Sequence, residues 1–350
     1  MKRKIVIPFD AHAHFRTGPI LRTVIPYTAS ICGEAVAMGN LKQPVDDLEL
    51  LLEYQHEIRD ATRVYPWFRP VMTIMLTPKT TVKTIGSCAP YAKVLKFIPA
   101  NTSTNAQSGI SIENLEQYYP ILEEVKNQNM IFSIHAERIL DDNGQEIPEE
   151  ERELAALPFV EKIIRDLPGL KIIIEHVSTT AACNLIMSCG DNVAGTITAH
   201  HSCFNDLFLY DKQRNIRPDF YCKPVLKSEE HRNFVESVML SGHPRFFFGS
   251  DTAPHPAEMK FHKLPPAAGI FSAPAAILLM IGRFCKTGRM SLLENFLSIY
   301  GREFYGLPIP TKRVIISNEN PVIIPGTVGD NKIPVLMGGE IMDWRVEMDW

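Results

Sequence analysis

Short apolar runs recur along the chain, and several of them lead directly into a side chain that can bind a metal ion. Most runs are bounded by Gly, Pro or polar residues, and the segments between them are long enough for helices. This pattern is typical of parallel strands that are buried on both faces. The eight runs cover residues 5–9, 34–38, 69–76, 92–98, 130–134, 171–175, 193–199 and 245–250.

The intervening segments have the periodicity of amphipathic helices. Apolar residues recur at helical spacing over 112–125 and over 159–167. Asp46 and Asp47 precede a third such stripe, where the helix dipole favours acidic side chains. Eight alternations of strand and helix in about 300 residues predict an α/β fold, a (β/α)8 TIM barrel. The active site of such a barrel lies at the C-terminal ends of its strands, where the possible ligands of this chain fall.

His12 and His14 follow the first apolar run. Side chains two residues apart on a strand point to the same side, so two imidazoles can face one metal ion. A single His-X-His pair fits equally well with two half-buried polar residues at a strand end. The recurrence of the pattern at His135, His176 and Asp251 favours a metal site.

Lys96 lies in the middle of an apolar run, where a cationic side chain is costly. In one interpretation the ammonium group extends outward to solvent. In the other, CO2 carboxylates the amine to a carbamate that bridges two metal ions. A two-metal site about 3.5–4 Å across lowers the pKa of a bridging water and polarises a carbonyl. Asp251 would then be placed to move a proton to a leaving nitrogen.

Composition narrows the classes of function. The 350-residue chain is 45% hydrophobic, and its net charge of −4 without a basic run argues against binding to nucleic acid or a membrane surface. No apolar stretch has the length of a signal peptide or a membrane span. Seven cysteines without a Cys-X-X-Cys pair predict free thiols in a reducing cytoplasm. We expect one domain over 1–350, with roughly 310–350 as a C-terminal extension packed on the barrel.

Taken in order, the motifs resemble those of the short, single-domain (class II type) dihydroorotases of the amidohydrolase superfamily. The resemblance extends from Phe9 to about Pro308. Each motif is weak by itself, but the ordered set is specific. The motifs are His12-X-His14-X-Arg16, Asn40, Lys96 before Pro99-Ala100-Asn101, His135 with Glu137, Glu175-His176, Tyr221-Cys222-Lys223-Pro224 and the segment from Gly249 to His255.

The resemblance implies a homodimeric zinc hydrolase of the metal-dependent barrel type, without a separate β-sandwich domain. The reaction it implies is the reversible interconversion of N-carbamoyl-L-aspartate and (S)-dihydroorotate in de novo pyrimidine biosynthesis. The implied ligands of two Zn²⁺ ions are His12, His14, N6-carboxylated Lys96, His135, His176 and Asp251. The implied substrate contacts are Arg16, Asn40, His255 and the backbone near Lys223 and Ala268, under a closing loop that contains Ser103 and Thr104.

Several positions leave the interpretation open. Lys223 stands where the family usually has an apolar residue, so substrate preference depends on whether its side chain enters the pocket. His200 and His201 are expected to support the site rather than to bind metal, and Cys203 and Cys222 are not expected to be ligands. The residues Glu137 and Glu175 could orient metal-binding histidines or form pairs at the rim.

Related barrels provide the alternative functions. Hydantoinases carry an extra β-sandwich domain built partly from sequence before the first strand, for which His12 lies too near the start. Another binuclear amidohydrolase, either a cyclic amidase or a phosphotriesterase-like lactonase, remains open. A catalytically silent barrel that serves as an assembly partner is a further alternative. Silent relatives typically lose metal ligands, and this chain lacks none of them.

Overall fold

A computed structural model describes residues 1–350 and contains one sheet of eight parallel strands in chain order. The predicted TIM barrel is therefore confirmed. A short strand, β1 (Lys2–Val6), precedes the sheet. The barrel strands are β2 (Phe9–Ala13), β3 (Glu34–Ala37), β4 (Arg69–Met75), β5 (Ala92–Phe97), β6 (Ile131–Ile134), β7 (Lys171–Ile174), β8 (Val193–Ile197) and β9 (Phe246–Phe248).

The position predicted for the first barrel strand was wrong. The run 5–9 is divided at Pro8: its first part belongs to β1 outside the barrel, and the barrel strand starts at Phe9 and includes His12. Apolar content alone does not distinguish these two strands. The barrel closes just beyond β9, where the backbone N–H of Asp251 donates to His12 O at 2.9 Å and that of His14 donates to Thr252 O at 2.9 Å.

Helices follow the strands and cover the barrel. Asp47 caps the second helix by accepting a hydrogen bond from the N–H of Leu50 at 2.9 Å. The helices are α1 (Gly18–Ala29), α2 (Leu48–Ala61), α3 (Val82–Cys88), α4 (Tyr119–Asn127), α5 (Arg152–Asp166), α6 (Thr180–Ser188), α7 (Ala199–Cys203), α8 (Glu229–Met239), α9 (Ala257–Phe261), α10 (Ala276–Lys286) and α11 (Tyr300–Tyr305). The apolar stripe over 112–125 is not one helix: a 3₁₀ segment (Ile112–Tyr118) precedes α4, which starts with Pro120 in its first turn.

The N-terminal end of the barrel is closed by packed side chains. Phe9 and Tyr305 meet edge to face with ring centres 5.2 Å apart, inside an apolar cluster that fills the barrel interior. Arg302, fully buried beneath them, donates to Glu34 Oε2 at 2.9 Å, Ile7 O at 2.8 Å and Ser298 O at 2.7 Å. Side chains therefore fill this end of the barrel, and the polar side chains of the strands gather at the other end.

The residues after 310 form short antiparallel strands. The first, β10 (Arg313–Ser317), pairs with β1 on one side and with β15 (Arg345–Met348) on the other. Between them lie β11 (Val322–Ile323), β12 (Thr327–Val328), β13 (Ile333–Pro334) and β14 (Ile341–Met342). The grouping of 1–350 into one domain with an extension stays a prediction. None of the helices combines the length and the apolar character that crossing a bilayer requires.

Candidate metal centre

Five side chains of the metal-binding type and one lysine converge at the C-terminal end of the barrel. They lie on or just after β2, β5, β6, β7 and β9, because parallel strands deliver their last residues to the same rim. Each is less than a tenth exposed, so the cluster is shielded from bulk water. The six are His12, His14, Lys96, His135, His176 and Asp251.

Two groups of atoms form within this cluster. His12 Nε2 lies 3.1 Å from His14 Nε2 and 3.4 Å from Asp251 Oδ1, and His14 Nε2 lies 3.1 Å from the same oxygen. On the other side, His135 Nδ1 lies 3.0 Å from His176 Nε2. Nitrogen atoms that share one tetrahedral zinc ion lie roughly 3.3 Å apart, since each Zn–N bond measures about 2.0–2.1 Å. The spacing of both groups fits metal ligands.

Lys96 is 1% exposed and its Nζ has no hydrogen-bond partner. The interpretation of an outward, solvated lysine is therefore wrong. Burial lowers the pKa of this amine to about 8. An unpaired buried ammonium is costly, whereas a carboxylated lysine would present two oxygen atoms to metal ions at this place. The donor set thus fits a pair of divalent metal ions better than it fits a free amine.

Two buried carboxylates orient histidines of the cluster. Glu175 Oε2 accepts a hydrogen bond from His12 Nδ1 at 2.8 Å and another from Thr196 Oγ1 at 2.6 Å. Although burial favours the neutral acid, the charges of His12 and Lys96 and the hydrogen bonds from His12 and Ser133 lower the pKa of Glu175 to about 2. Glu137 lies 2.7 Å from His135 Nε2 in the same way. Each carboxylate fixes one ring nitrogen as a donor and leaves the other free to bind metal.

The backbone is strained where it delivers these side chains. Arg16, His176 and Asp251 have φ angles of +63°, +40° and +43°, in the left-handed region that non-glycine residues avoid. Such conformations cost about 1–3 kcal/mol each and persist where the surroundings fix them. The N–H of His176, for example, donates to Thr196 Oγ1 at 2.6 Å. The strain turns each strand end so that its side chain faces the cluster.

A second group of possible ligands adjoins the first. Donor atoms of His200, His201 and Cys222 lie within 4.8 Å of one another. Both ring nitrogens of His201 already have hydrogen-bond partners: Nδ1 lies 2.9 Å from Thr198 Oγ1, and Nε2 lies 2.9 Å from Pro224 O. Both ring nitrogens of His200 lack a partner, and Nε2 lies 3.8 Å from Asp251 Oδ2. This placement agrees with a supporting role for His201 and sets His200 beside Asp251.

The predicted substrate contacts surround the same cavity. Arg16 Nη2 lies 3.1 Å from His255 Nε2, which in turn lies 2.9 Å from Ala268 O. Burial lowers the pKa of Arg16 to about 10, so the guanidinium remains charged at neutral pH. Asn40 has an unpartnered Oδ1. The guanidinium of Arg16 offers donors suited to a carboxylate, and Asn40 Oδ1 offers a free acceptor.

The loop with Ser103 and Thr104, which is predicted to close over the site, contacts the cavity wall. Thr104 Oγ1 donates to Ala268 O at 3.1 Å and Asn40 Nδ2 approaches Thr104 O at 3.5 Å. The enclosed volume is only about 20 Å³, space for little more than one water molecule. Ser103 lines the cavity, as does Lys223, whose ammonium pairs with Glu149. A molecule larger than water therefore does not fit the cavity in this conformation of the loop.

Sequence reasoning missed two buried residues that hold this region. Asp10 Oδ1 accepts hydrogen bonds from the N–H groups of His12 at 3.1 Å and Ser250 at 2.8 Å, and so joins the first and last strands. Its position two residues before His12 was the one available signal. Lys260 in α9 contacts three backbone carbonyls near Ala268. A five-residue helix has no periodicity that could have pointed to it.

Known proteins resemble the chain over nearly its whole length. No family model matches it. It is 35% identical to a dihydroorotase from Teredinibacter turnerae over 347 residues, which cover 97% of each chain. A crystal structure of dihydroorotase from Saccharomyces cerevisiae in complex with 5-fluoroorotic acid has a TM-score of 0.92 at 27% identity and 99% coverage of both chains. That of Campylobacter jejuni has a TM-score of 0.88 at 29% identity, covering 99% of this chain and 97% of its own.

Proposed function

The chain belongs to the dihydroorotase family, and we propose that it works through two zinc ions held by the cluster at the C-terminal end of the barrel. The protein interconverts N-carbamoyl-L-aspartate and (S)-dihydroorotate, the reversible ring closure of pyrimidine synthesis. It is a hydrolase that acts on a cyclic amide. The assignment of individual residues below is part of the proposal.

One observation carries the metal assignment: a buried lysine amine without a partner lies among four histidines and an aspartate. We assign His12, His14 and Asp251 to one zinc ion and His135 and His176 to the second, with carboxylated Lys96 between them. When bound, the metal pair would supply Lewis acidity toward the amide carbonyl and an activated water. The fixed carboxylates Glu137 and Glu175 would hold the histidine rings in the binding tautomer.

Asp251 is proposed to move the proton. In the hydrolytic direction its carboxylate takes a proton from the attacking water and passes it to the ring nitrogen as the C–N bond breaks. Ring opening converts a monocarboxylate into a dicarboxylate, so one proton is released for each turnover. Burial raises the pKa of Asp251 above its ordinary value, although His12 beside it acts in the opposite direction.

Arg16, Asn40 and His255 are proposed to hold the carboxylate that does not react. The guanidinium of Arg16 presents a planar fork to this group, and Asn40 would donate to it from Nδ2, while the free Oδ1 of Asn40 is available to an N–H of the ring. The backbone at Lys223 and Ala268, both on the cavity wall, would contact the ring itself. Ser103 and Thr104 would close over the bound molecule. These contacts bind both substrates, since the held carboxylate is common to them.

Metal analysis combined with an activity assay tests the proposal. Purified protein should contain two zinc ions per chain and turn over dihydroorotate and N-carbamoyl-L-aspartate, while hydantoin, a lactone and a phosphotriester should react poorly. Turnover of one of those three in preference to dihydroorotate would favour another binuclear amidohydrolase. A chain with full metal content and no turnover would favour the silent assembly partner. Sedimentation of the same sample would test the proposed homodimer, and fractionation of cells the proposed cytoplasmic location.

A further inference from the structure

Lys260 is a buried lysine whose ammonium is fully satisfied by backbone oxygens. The residue lies in α9, is 2% exposed, and donates from Nζ to Tyr221 O at 3.0 Å, Ala267 O at 2.9 Å and Gly269 O at 2.7 Å. A lysine ammonium has three N–H donors, so each of them has one acceptor. No side chain of opposite charge is needed to account for this arrangement.

The three carbonyls belong to two segments that form the same wall of the cavity. Tyr221 stands two residues before Lys223, and Ala267 and Gly269 flank Ala268. Both Lys223 and Ala268 line the cavity, and the segments are joined directly by a hydrogen bond from the N–H of Gly269 to Tyr221 O at 3.0 Å. Lys260 thus holds both backbone segments from behind.

The wall that Lys260 supports also receives the closing loop. Ala268 O accepts the hydroxyl of Thr104 at 3.1 Å and lies 2.9 Å from His255 Nε2. There is little freedom in this backbone. Gly269 has a φ of +140°, and a Cβ there would lie 2.8 Å from the Cβ of Ala253 and 3.0 Å from His255 Nε2. A small displacement of the wall would therefore disturb His255 and the loop contact together.

Three carbonyl oxygens that point at one place repel one another unless a cation lies between them. We infer that Lys260 is a positioning residue of the dihydroorotase site, which holds the backbone at Lys223 and Ala268 where it contacts the substrate. The inference rests on the proposed function of that wall. Lys260 would affect substrate binding and loop closure. It would not affect metal binding, which belongs to the cluster on the opposite side of the cavity.

Lys260→Met tests the inference because methionine keeps the length of the side chain and removes the ammonium. With dihydroorotate the KM should rise about tenfold or more, the loss expected for one charge-assisted hydrogen bond. The kcat and the zinc content should stay close to wild type. The two directions share one equilibrium constant, so kcat/KM for N-carbamoyl-L-aspartate must fall by the same factor. Lys260→Gln, which keeps two N–H donors, should restore part of the lost affinity.

Lys263→Met is the matched control, since this lysine lies on the same segment and is exposed. Its kinetics should equal those of the wild type. An unchanged KM in folded Lys260→Met would overturn the inference. A fall in both kcat and zinc content would overturn it as well. If Lys260→Met does not fold, Lys260→Gln decides the question by the same criteria, and failure of both to fold would assign Lys260 to folding alone. Absence of wild-type activity would instead refute the proposed function.

Discussion

Two fully buried cations lie at opposite ends of the barrel, and their surroundings differ. At the closed end, Arg302 donates to Glu34, to Ile7 O and to Ser298 O. At the open end, Lys96 has no partner at all. Buried charges are normally paired, and an unpaired one changes its charge state or its chemistry. The comparison indicates that the first cation holds the fold together, whereas the second is the proposed site of carboxylation and metal binding.

The largest expected effect comes from removing the unpaired cation. Lys96→Met should lower kcat by on the order of 10³-fold or more, since the proposed bridge between the metal ions is lost. Zinc analysis should show fewer than two ions per chain. In metal-free protein the melting temperature should not fall, because the substitution removes an uncompensated buried charge. Normal turnover with full zinc content in this variant would refute the carboxylated bridge.

Removing the paired cation should have the opposite effect. Arg302→Met removes the cation from the partly buried Glu34 carboxylate and a donor from the carbonyls of Ile7 and Ser298, which should lower the free energy of unfolding by about 3–5 kcal/mol. Denaturant unfolding measures this loss. The folded fraction should keep its zinc and its kcat, because the substitution lies at the end of the barrel away from the site. A stable Arg302→Met protein with low kcat would break the distinction between the two ends.

Arg16 is an intermediate case, with a partly buried guanidinium that donates to Pro254 O at 3.2 Å and lies close to His255. Its remaining donors are proposed to bind the substrate carboxylate. Arg16→Met should remove a charge-assisted contact of about 1.5–3 kcal/mol, which raises KM by about 10- to 150-fold. Steady-state kinetics in both directions would measure the change. Unaltered kinetics with dihydroorotate would show that the proposed carboxylate site is misplaced.

The chemistry of the unpaired amine predicts a pH dependence. CO2 reacts with a neutral amine, and burial lowers the pKa of Lys96 to about 8. In metal-free, decarboxylated protein the neutral fraction should rise about tenfold for each pH unit below about 8 and level off above it. The rate at which activity returns after addition of zinc and a fixed concentration of dissolved CO2 should follow this curve. A rate that is independent of pH, or one that falls as pH rises, would contradict carboxylation of Lys96.

The barrel could be predicted from sequence because parallel strands buried on both faces leave continuous apolar runs. Seven of the eight predicted runs include the whole of one barrel strand. The first run shares only Phe9 with its barrel strand, because it spans the end of β1 and the start of β2, two strands of different sheets that are separated by Ile7 and Pro8. The stripe over 112–125 has helical periodicity, yet the chain enters α4 only at Tyr119. Periodicity reports which face is buried but does not report where a proline starts a new helix.

The candidate site was predictable where a residue type has few other reasons to follow a strand. His12, His135 and His176 are of this kind, and the structure brings them together, although their role as ligands stays a prediction. Asp10 and Lys260 were not predictable, because their function consists of hydrogen bonds to backbone atoms that are distant in sequence. Such partners become visible only when the chain has folded. The sequence pattern therefore indicates the reacting groups better than the groups that position them.

The pairing of β1 with β10 has a consequence for synthesis of the protein. Val6 lies opposite Arg313, so about 300 residues must be translated before the first strand meets its partner. At roughly 5–20 residues per second, this takes about 15–60 s. During that interval the β1 segment, in which Ile5 and Val6 follow three basic residues, has no partner strand, and an unpaired strand can pair with another chain. We therefore expect the ribosome-bound nascent chain, more than the finished enzyme, to depend on chaperones.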